Sequence, residues 1–111
     1  MKRKRYNNRV RRVGITYNLT PDQYKALVNA CVKNKAGEPL CMMCTRRRAS
    51  QVDHDHACCK GPYSCGKCVR GLLCGTCNNL LGRISDSVEV LQNGVRYLKY
   101  PPAATVFLGM D

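Results

Sequence analysis

Two Cys-x-x-Cys pairs frame a group of residues that could bind a cation and activate water. The four cysteines are Cys41, Cys44, Cys74 and Cys77. The run 52–56 (Val-Asp-His-Asp-His) lies between the pairs, and Asn78 directly follows the second pair. Sulfur ligands at this spacing favour tetrahedral structural zinc, whereas carboxylate, amide and imidazole groups suit a hard divalent cation and an activated water. The pattern therefore predicts a zinc-stabilised hydrolase whose structural and catalytic metals are different ions.

The cysteine quartet is the most specific signal in the chain. Two such pairs about thirty residues apart allow two knuckles to meet on one ion, and the free energy of metal binding then contributes to folding. The competing interpretation, a redox Cys-x-x-Cys, requires a thioredoxin-like βαβ context that the sequence lacks. We therefore assign structural zinc to these cysteines.

The run Asp53-His54-Asp55-His56 is less specific by itself. Two histidines two positions apart on a regular strand point to one face, where they could be a zinc pair or merely a polar surface edge. Asp53 and His54 would point in opposite directions, so the strand must end or bend there if both serve one active site. Asn78 strengthens the cation interpretation, because a carboxylate and an amide carbonyl are suitable ligands for a hard metal.

Composition restricts the class of protein. A chain of 111 residues has room for about one domain and buries a modest fraction of its surface, so a metal site is a plausible source of stability. Lys and Arg number 19 against 7 Asp and Glu, and the net charge of +12 indicates a polyanionic partner. No apolar run approaches the ~20 residues of a membrane span, so we expect no membrane association.

The nine cysteines could instead form the disulfide framework of a secreted protein. The odd count, the x-x spacing and a charged N-terminus without the apolar stretch of a signal peptide argue against this interpretation. We expect a reducing compartment, the cytoplasm or the nucleoid.

The segment 1–13 carries seven basic residues and no acidic one. Such runs are often disordered or solvated tails. Because the rest of the chain is also basic, we favour an arm that orders on DNA phosphates and adds affinity without sequence preference. The arginines of this arm assigned to DNA binding are Arg3, Arg5, Arg9, Arg11 and Arg12.

A helix is predicted from Thr20 to Gly37. Thr20 and Gln23 form a capping box around Pro21 at the first helical position, and Gly37 provides a left-handed C-cap. An apolar face at helical spacing consists of Tyr24, Leu27, Val28 and Cys31. Its cysteine is therefore interpreted as a small core residue and not as a metal ligand.

The central segment predicts a strand, a loop, a second strand and a short helix. The strands are expected at 49–53 and 69–73, and the Gly-, Pro- and Cys-rich stretch 57–68 is expected to be a loop. The helix begins at Cys77, so its first turn holds the last zinc ligand and Asn78. A further helix is capped by Asp86, with Glu89 three residues on, and ends before Pro101-Pro102. Its apolar face is expected to be Val88, Leu91, Val95 and Leu98.

Several sequence motifs together resemble those of the phage recombination endonuclease VII family, which belongs to the His-Me finger (His-Asn-His type) nucleases. These motifs are Cys41-x-x-Cys44, the run 52–56, the stretch 69–78 (Val-Arg-Gly-Leu-Leu-Cys-x-x-Cys-Asn) and Leu81-Gly82. The resemblance covers roughly residues 14–100. It implies an α+β fold, a small zinc-stabilised ββα-metal domain flanked by helices, between the basic arm at 1–13 and a tail at 101–111.

The resemblance also implies roles for the residues. Asp53 and Asn78 would hold one Mg²⁺ or Mn²⁺ on the scissile phosphate, with His54 as the general base. His56 would be a supporting or phosphate-contacting residue. Arg70 or the arginine run 46–48 could hold flanking phosphates, although exposed arginine runs are more often only solvated surface.

The implied activity is metal-dependent hydrolysis of phosphodiester bonds in branched DNA, as in Holliday-junction resolution, during phage recombination or packaging in the host cytoplasm. Two symmetric cuts would favour a homodimer. Two alternatives stay open: a non-catalytic zinc-ribbon protein that binds DNA, and a His-Asn-His-type enzyme that nicks duplex DNA. The zinc ribbon does not account for Asp53 and His54 combined with Asn78.

Four further cysteines in the loop depart from the family pattern: Cys58, Cys59, Cys65 and Cys68. A second zinc ion is one interpretation, with Cys59, Cys65 and Cys68 as the better-placed ligands, because adjacent cysteines rarely ligate one ion easily. Free thiols, or a mixed site that includes a histidine, are the alternatives. The chain would therefore hold one or two zinc ions.

Overall fold

A computed structural model describes residues 2–110, with side chains described for residues 4–110. Within that range the chain forms five helices and a two-stranded sheet, which confirms a small mixed α/β architecture. The helices are α1 (Lys2–Tyr17), α2 (Pro21–Ala30), α3 (Gly75–Arg83), α4 (Val88–Lys99) and α5 (Pro102–Leu108), and the strands are β1 (Gln51–His54) and β2 (Val69–Leu73). The chain divides into two units, residues 1–78 and 79–111.

Residues 2–13 of the basic N-terminal segment lie in helix α1. The run of positive charges did not indicate a helix that packs on the core. Val10, Val13 and Tyr17 follow helical spacing and pack on the hydrophobic core, where Val13 is buried. The ring of Tyr6 lies 6.2 Å from that of Tyr24 in α2. Helix α1 therefore contributes apolar side chains to the core, while Arg5, Arg9, Arg11 and Arg12 remain exposed.

Helix α2 begins as predicted and ends earlier than predicted. Thr20 Oγ1 accepts from Gln23 N–H at 3.1 Å, and Gln23 Oε1 accepts from Thr20 N–H at 2.9 Å, which confirms the capping box. The predicted end at Gly37 is wrong, because the helix ends at Ala30 and Cys31 is extended.

Gly37 has the predicted left-handed conformation, with φ +79°, in a tight turn outside the helix. Asn34 Oδ1 accepts from the backbone N–H groups of Ala36 and Glu38. This local pairing competes with helical hydrogen bonds and explains why the helix does not continue.

Strands β1 and β2 pair antiparallel, with Gln51 opposite Leu73 and Asp53 opposite Gly71. The register then shifts, since His54 lies opposite Val69. Bounds of 69–73 for the second strand are confirmed, whereas the first strand starts at Gln51 and not at Ala49. The stretch 57–68 contains no helix or strand, as predicted.

A buried core joins both helices of the first unit to the sheet. Its members are Val13, Leu19, Tyr24, Cys31, Val52 and Leu72. The prediction that Cys31 is a core residue is confirmed, and its thiol donates to Leu27 O at 3.4 Å. Gly71 allows close packing, because a Cβ at this position would lie 2.9 Å from Met42 Sδ.

The second unit contains the remaining turns of α3, then α4 and α5. Ser87, and not Asp86, caps α4: its Oγ accepts from Val90 N–H at 3.1 Å, while Asp86 has φ +57°. Helix α4 ends before the two prolines, as predicted. Of its predicted apolar face, Val88, Val95 and Leu98 are exposed. The C-terminal tail forms α5.

None of the helices in the described part of the chain combines the length and the apolar character that crossing a bilayer requires.

Candidate active site and cysteine clusters

The predicted zinc quartet comes together in the structure. The Sγ atoms of Cys41, Cys44, Cys74 and Cys77 all lie within 4.8 Å of one another. The sulfurs of Cys44 and Cys74 are 3.9 Å apart, close to the edge of about 3.8 Å that follows for a tetrahedron with Zn–S bonds of about 2.3 Å. The quartet could therefore hold a zinc ion.

Backbone amides of the knuckles point at these sulfurs. Met43 N–H donates to Cys41 Sγ at 3.4 Å, and Cys77 N–H donates to Cys74 Sγ at 3.4 Å. The N–H of Arg46 lowers the pKa of Cys44 to about 6, whereas burial raises the pKa of Cys77 to about 12. Zinc ligands are thiolates, so metal binding must displace the Cys77 proton.

The loop cysteines form a second group of the same kind. The Sγ atoms of Cys58, Cys59, Cys65 and Cys68 also lie within 4.8 Å of one another. Cys58, which the sequence does not place among the better ligands, belongs to this group: its Sγ lies 3.8 Å from Cys65 Sγ and 4.0 Å from Cys59 Sγ. This cluster, too, could hold a zinc ion. Hydrogen bonding with Cys65 raises the pKa of Cys58 to about 12, and the Lys67 N–H lowers the pKa of Cys65 to about 7.

Asp53 is a buried carboxylate with a cationic partner. The residue is 5% exposed, and both carboxylate oxygens accept from Arg70: Nε donates to Oδ2 at 2.7 Å and Nη2 donates to Oδ1 at 3.0 Å. Arg70 is the additional residue opposite the register shift in the sheet. A bulge of this kind bends a strand and redirects side chains.

His54 is buried beside Asp53 and is held by the loop. It is 4% exposed, and its Nε2 lies 3.0 Å from the carbonyl oxygen of Gly61. A carbonyl only accepts, so we assign the proton to Nε2, which leaves Nδ1 as the basic nitrogen. The rings of Tyr17 and His56 flank the imidazole, with centroids 5.8 and 4.3 Å away.

The bend required between Asp53 and His54 is present, because the register shift lies between these two residues. Burial does not alternate along β1, since Val52, Asp53 and His54 are all buried. Because the strand is irregular here, Asp53 and His54 need not point to opposite faces, and one site can contain both side chains.

Asn78 occupies the first half of α3 and contacts β1. Its Nδ2 donates to Gln51 Oε1 at 2.6 Å. Gln51 and Asp53 lie two positions apart in the regular part of the ladder, so their side chains project to the same face. Asn78 therefore lies against the face of β1 that carries Asp53. Gln51 is not among the residues predicted for the site, although side-chain alternation from Asp53 indicates its position on this face.

Asp53 and Asn78 carry oxygen atoms of the kind that bind a hard cation, although both Asp53 oxygens accept from Arg70 in this structure. In the described residues, the groups of three or more His, Cys, Asp and Glu side chains that could hold a metal are the two cysteine clusters, and neither includes Asp53. A cation at this position would bind one carboxylate, the Asn78 amide oxygen and water. Mg²⁺ accepts such an incomplete protein shell, since it usually keeps several waters.

The arginines of α1 face two sides. Arg5, Arg9 and Arg12 line a groove of about 510 Å³ that also contains Gln51 and Asn78. Arg11 lines a different pocket, and the Arg3 side chain lies outside those described. In the run 46–48, Arg46 and Arg47 are exposed, while Arg48 pairs with Glu38 at 2.8 Å.

Comparisons with known proteins identify the family of the chain. Residues 10–100 match the family "Recombination endonuclease VII". The "Gene 59 protein" of Mycobacterium phage D29 is 36% identical over 100 residues, a match that covers 86% of this chain and 52% of the relative. The chain thus spans about half the length of that curated relative. No solved structure matches. Since the family match covers most of the chain and includes the cysteine quartet, Asp53, His54 and Asn78, the protein belongs to the recombination endonuclease VII family.

Proposed function

We propose that this protein is a metal-dependent DNA endonuclease that hydrolyses phosphodiester bonds. The observation that carries the proposal is that a buried carboxylate, Asp53, and a buried imidazole, His54, occupy adjacent positions at a strand bulge. A structural zinc module has no need of either buried polar group. Family membership independently supports a nuclease.

His54 is the general base of the proposed reaction. The Gly61 carbonyl holds Nε2–H at 3.0 Å, so Nδ1 is available to accept a proton from the attacking water. Burial keeps the ring in one orientation. His56, whose ring lies 4.3 Å away by centroid, supports the imidazole or contacts a phosphate.

Asp53 and Asn78 would hold the Mg²⁺ or Mn²⁺ ion. When bound, this ion neutralises charge developing on the phosphate and on the leaving 3′ oxygen. Gln51 orients the Asn78 amide by accepting its N–H at 2.6 Å. Arg70 balances the Asp53 carboxylate, and its planar guanidinium is suited to a phosphate when DNA occupies the site.

The ββα-metal (His-Me finger) motif of the proposal comprises β1, β2 and α3. These elements are consecutive in the fold, with the loop 57–68 between the strands. A zinc ion held by Cys41, Cys44, Cys74 and Cys77 would join the knuckle to the start of α3. This connection would fix Asn78, which follows the last ligand directly.

DNA would approach along the groove lined by Arg5, Arg9 and Arg12. The groove reaches Gln51 and Asn78, so phosphates bound by α1 would lead to the proposed cation position. We assign branched DNA as the substrate, two symmetric cuts by a homodimer as the mode of action, and phage recombination or packaging in the host cytoplasm as the setting.

A cleavage assay tests the proposal. Purified protein is incubated with four-way junction, nicked and linear duplex DNA, each with Mg²⁺ or Mn²⁺. We expect junction cleavage that needs the added ion and is lost in Asp53→Ala and Asn78→Ala. Preferential nicking of linear duplex would replace the junction assignment. Tight DNA binding without cleavage of any substrate would contradict the catalytic proposal and favour a non-catalytic zinc-ribbon protein that binds DNA.

A further inference from the structure

We propose that the loop cluster Cys58, Cys59, Cys65 and Cys68 is a second zinc site that positions His54. The metal site is independent of the proposed function. Its positioning role rests on that function, because His54 matters as the base only in a nuclease.

The sulfur geometry of the loop cluster matches that of the first cluster. Cys58 Sγ lies 3.8 Å from the Sγ of Cys65 and 4.0 Å from the Sγ of Cys59. The corresponding distance between Cys44 and Cys74 in the first cluster is 3.9 Å. A tetrahedral zinc–thiolate site requires sulfur separations of about 3.8 Å. All four sulfurs lie within 4.8 Å of one another, close enough for one zinc ion to bind between them.

Adjacent cysteines can share the ion because the chain turns at this point. The N–H groups of Cys58 and Cys59 both donate to Asp55 O, at 3.1 and 3.2 Å. Asp55 Oδ1 also accepts from Ala57 N–H at 2.9 Å. This turn brings the sulfurs of Cys58 and Cys59 to within 4.0 Å of each other. The two adjacent cysteines can therefore ligate one ion, which adjacent cysteines rarely do.

The other two ligands form a Cys-x-x-Cys knuckle that only glycine permits. Gly66 has φ +92°, and a Cβ at this position would lie 2.7 Å from Asn18 O. Asn18 Nδ2 donates to Cys65 O at 3.0 Å, and Ser64 N–H donates to Thr16 O at 3.0 Å. The knuckle is therefore fixed against the end of α1.

Exposure argues against a packing role for two of these thiols, whereas Cys68 is buried and its Sγ lies 3.2 Å from Ser64 Oγ. Cys58 and Cys65 are exposed, unlike the core residue Cys31. The loop has no helix or strand to maintain its shape, and long irregular segments inside small domains need another source of order. A zinc ion would supply it.

Ligands of the loop cluster precede and follow, along the chain, the residue whose carbonyl orients the base. Gly61 lies between the ligands Cys59 and Cys65, and its carbonyl oxygen holds His54 Nε2. At the other end of the loop, Cys68 O accepts from Asp55 N–H at 2.9 Å, one residue after His54. Zinc would thus fix both the carbonyl and the strand end beside the imidazole.

The test combines metal counting with the tautomer of His54. Native mass spectrometry of the zinc-supplemented wild-type chain should give two zinc ions, and Cys58→Ser/Cys65→Ser should give one. Nitrogen-15 spectra of the imidazole should show Nε2–H in the wild type and lose that preference in the double variant. Cys31→Ala, which removes a core thiol outside both clusters, should keep two zinc ions and the wild-type tautomer.

Cleavage supplies a further measurement. A misplacement of about 1 Å in a catalytic site can cost about 10²-fold, so the double variant should lose roughly that factor in kcat with little change in KM. If the wild type cuts no DNA, the proposed function fails, while zinc count and tautomer still decide the present proposal.

Three results would overturn the inference. One zinc ion in the wild type, or a mass deficit showing loop disulfides, would remove the second site. Loss of the second zinc with an unchanged His54 tautomer would remove its positioning role. A double variant that no longer folds would show that the cluster supports the whole domain and not the His54 loop.

Discussion

Arg70 holds the buried carboxylate of Asp53 at both oxygens, 2.7 Å from Nε to Oδ2 and 3.0 Å from Nη2 to Oδ1. The sheet makes this pair by inserting Arg70 as an additional residue opposite the bulge. A cation bound to Asp53 must compete with the guanidinium. Arg70 would therefore couple the charge of the Asp53 carboxylate to the binding of the proposed metal ion and of phosphate.

Arg70→Ala should destabilise the protein by about 1–3 kcal/mol, less than a fully buried pair because the Arg70 side chain is 36% exposed. Mg²⁺ should then raise Tm more in this variant than in the wild type, since the ion replaces the lost positive charge. Arg48→Ala breaks the solvated pair with Glu38 and serves as the control, with a cost of about 0–1 kcal/mol. Equal Mg²⁺ shifts in all three proteins would show that the ion does not bind Asp53.

His54→Gln should reduce cleavage by roughly 10²–10⁴-fold, the usual contribution of a general base. Glutamine can still donate a hydrogen bond to the Gly61 carbonyl, so folding and DNA binding should stay near wild type. Single-turnover cleavage and fluorescence anisotropy measure the two properties. His56→Gln is the matched control and should lose less activity. Full activity of His54→Gln would exclude His54 as the base.

Cys77→Ser should lose the zinc ion of the first cluster and cooperative unfolding with it. The cluster joins the knuckle at Cys41 to the start of α3, and a small chain has little other core to compensate. Thermal unfolding and native mass spectrometry give both measurements, with Cys31→Ala as the cysteine control. A Cys77→Ser protein with unchanged Tm and zinc content would contradict the assignment.

Arg9→Ala should reduce the salt dependence of DNA binding, because Arg9 lines the groove beside Asn78. Loss of one phosphate contact lowers the log–log salt slope by roughly 0.9. Arg11→Ala removes the same charge from the other side of α1 and should leave the slope nearly unchanged. Point variants are preferable to deleting residues 1–12, which would also remove Val10 from the core contacts. Identical slopes for both variants would indicate binding without a defined path.

Cys31 should react with iodoacetamide more slowly than free cysteine at pH 8. Burial raises the pKa of its thiol, and the thiolate is the nucleophile, so the reactive fraction at this pH falls. The rate should increase as pH rises from 7 to 9. Peptide mapping by mass spectrometry measures the modification at each cysteine, with a free cysteine peptide as reference. Equal rates for Cys31 and the peptide would contradict its burial.

Local sequence rules determined several elements correctly. The capping box of Thr20 and Gln23, the strand at 69–73 and the cysteine quartet follow from residue types within a few positions of each other, or from metal-ligand spacing. The need for a bend between Asp53 and His54 also followed from the sequence, because side-chain alternation in a strand is a local property. Gly37 shows the limit: its left-handed conformation was predictable, but the end of the helix was not.

Tertiary structure decided the features that join distant residues. The basic segment became helix α1 because Val13 is buried against the core, a gain that the charge run does not reveal. Arg70 reaches Asp53 through a bulge, Gln51 meets Asn78 across 27 positions, and Gly61 reaches His54 through a loop. Cys58 joined the second cluster because the turn at Asp55 redirected it. Each of these contacts depends on how separate elements pack, whereas spacing along the chain fixes only which residues are available.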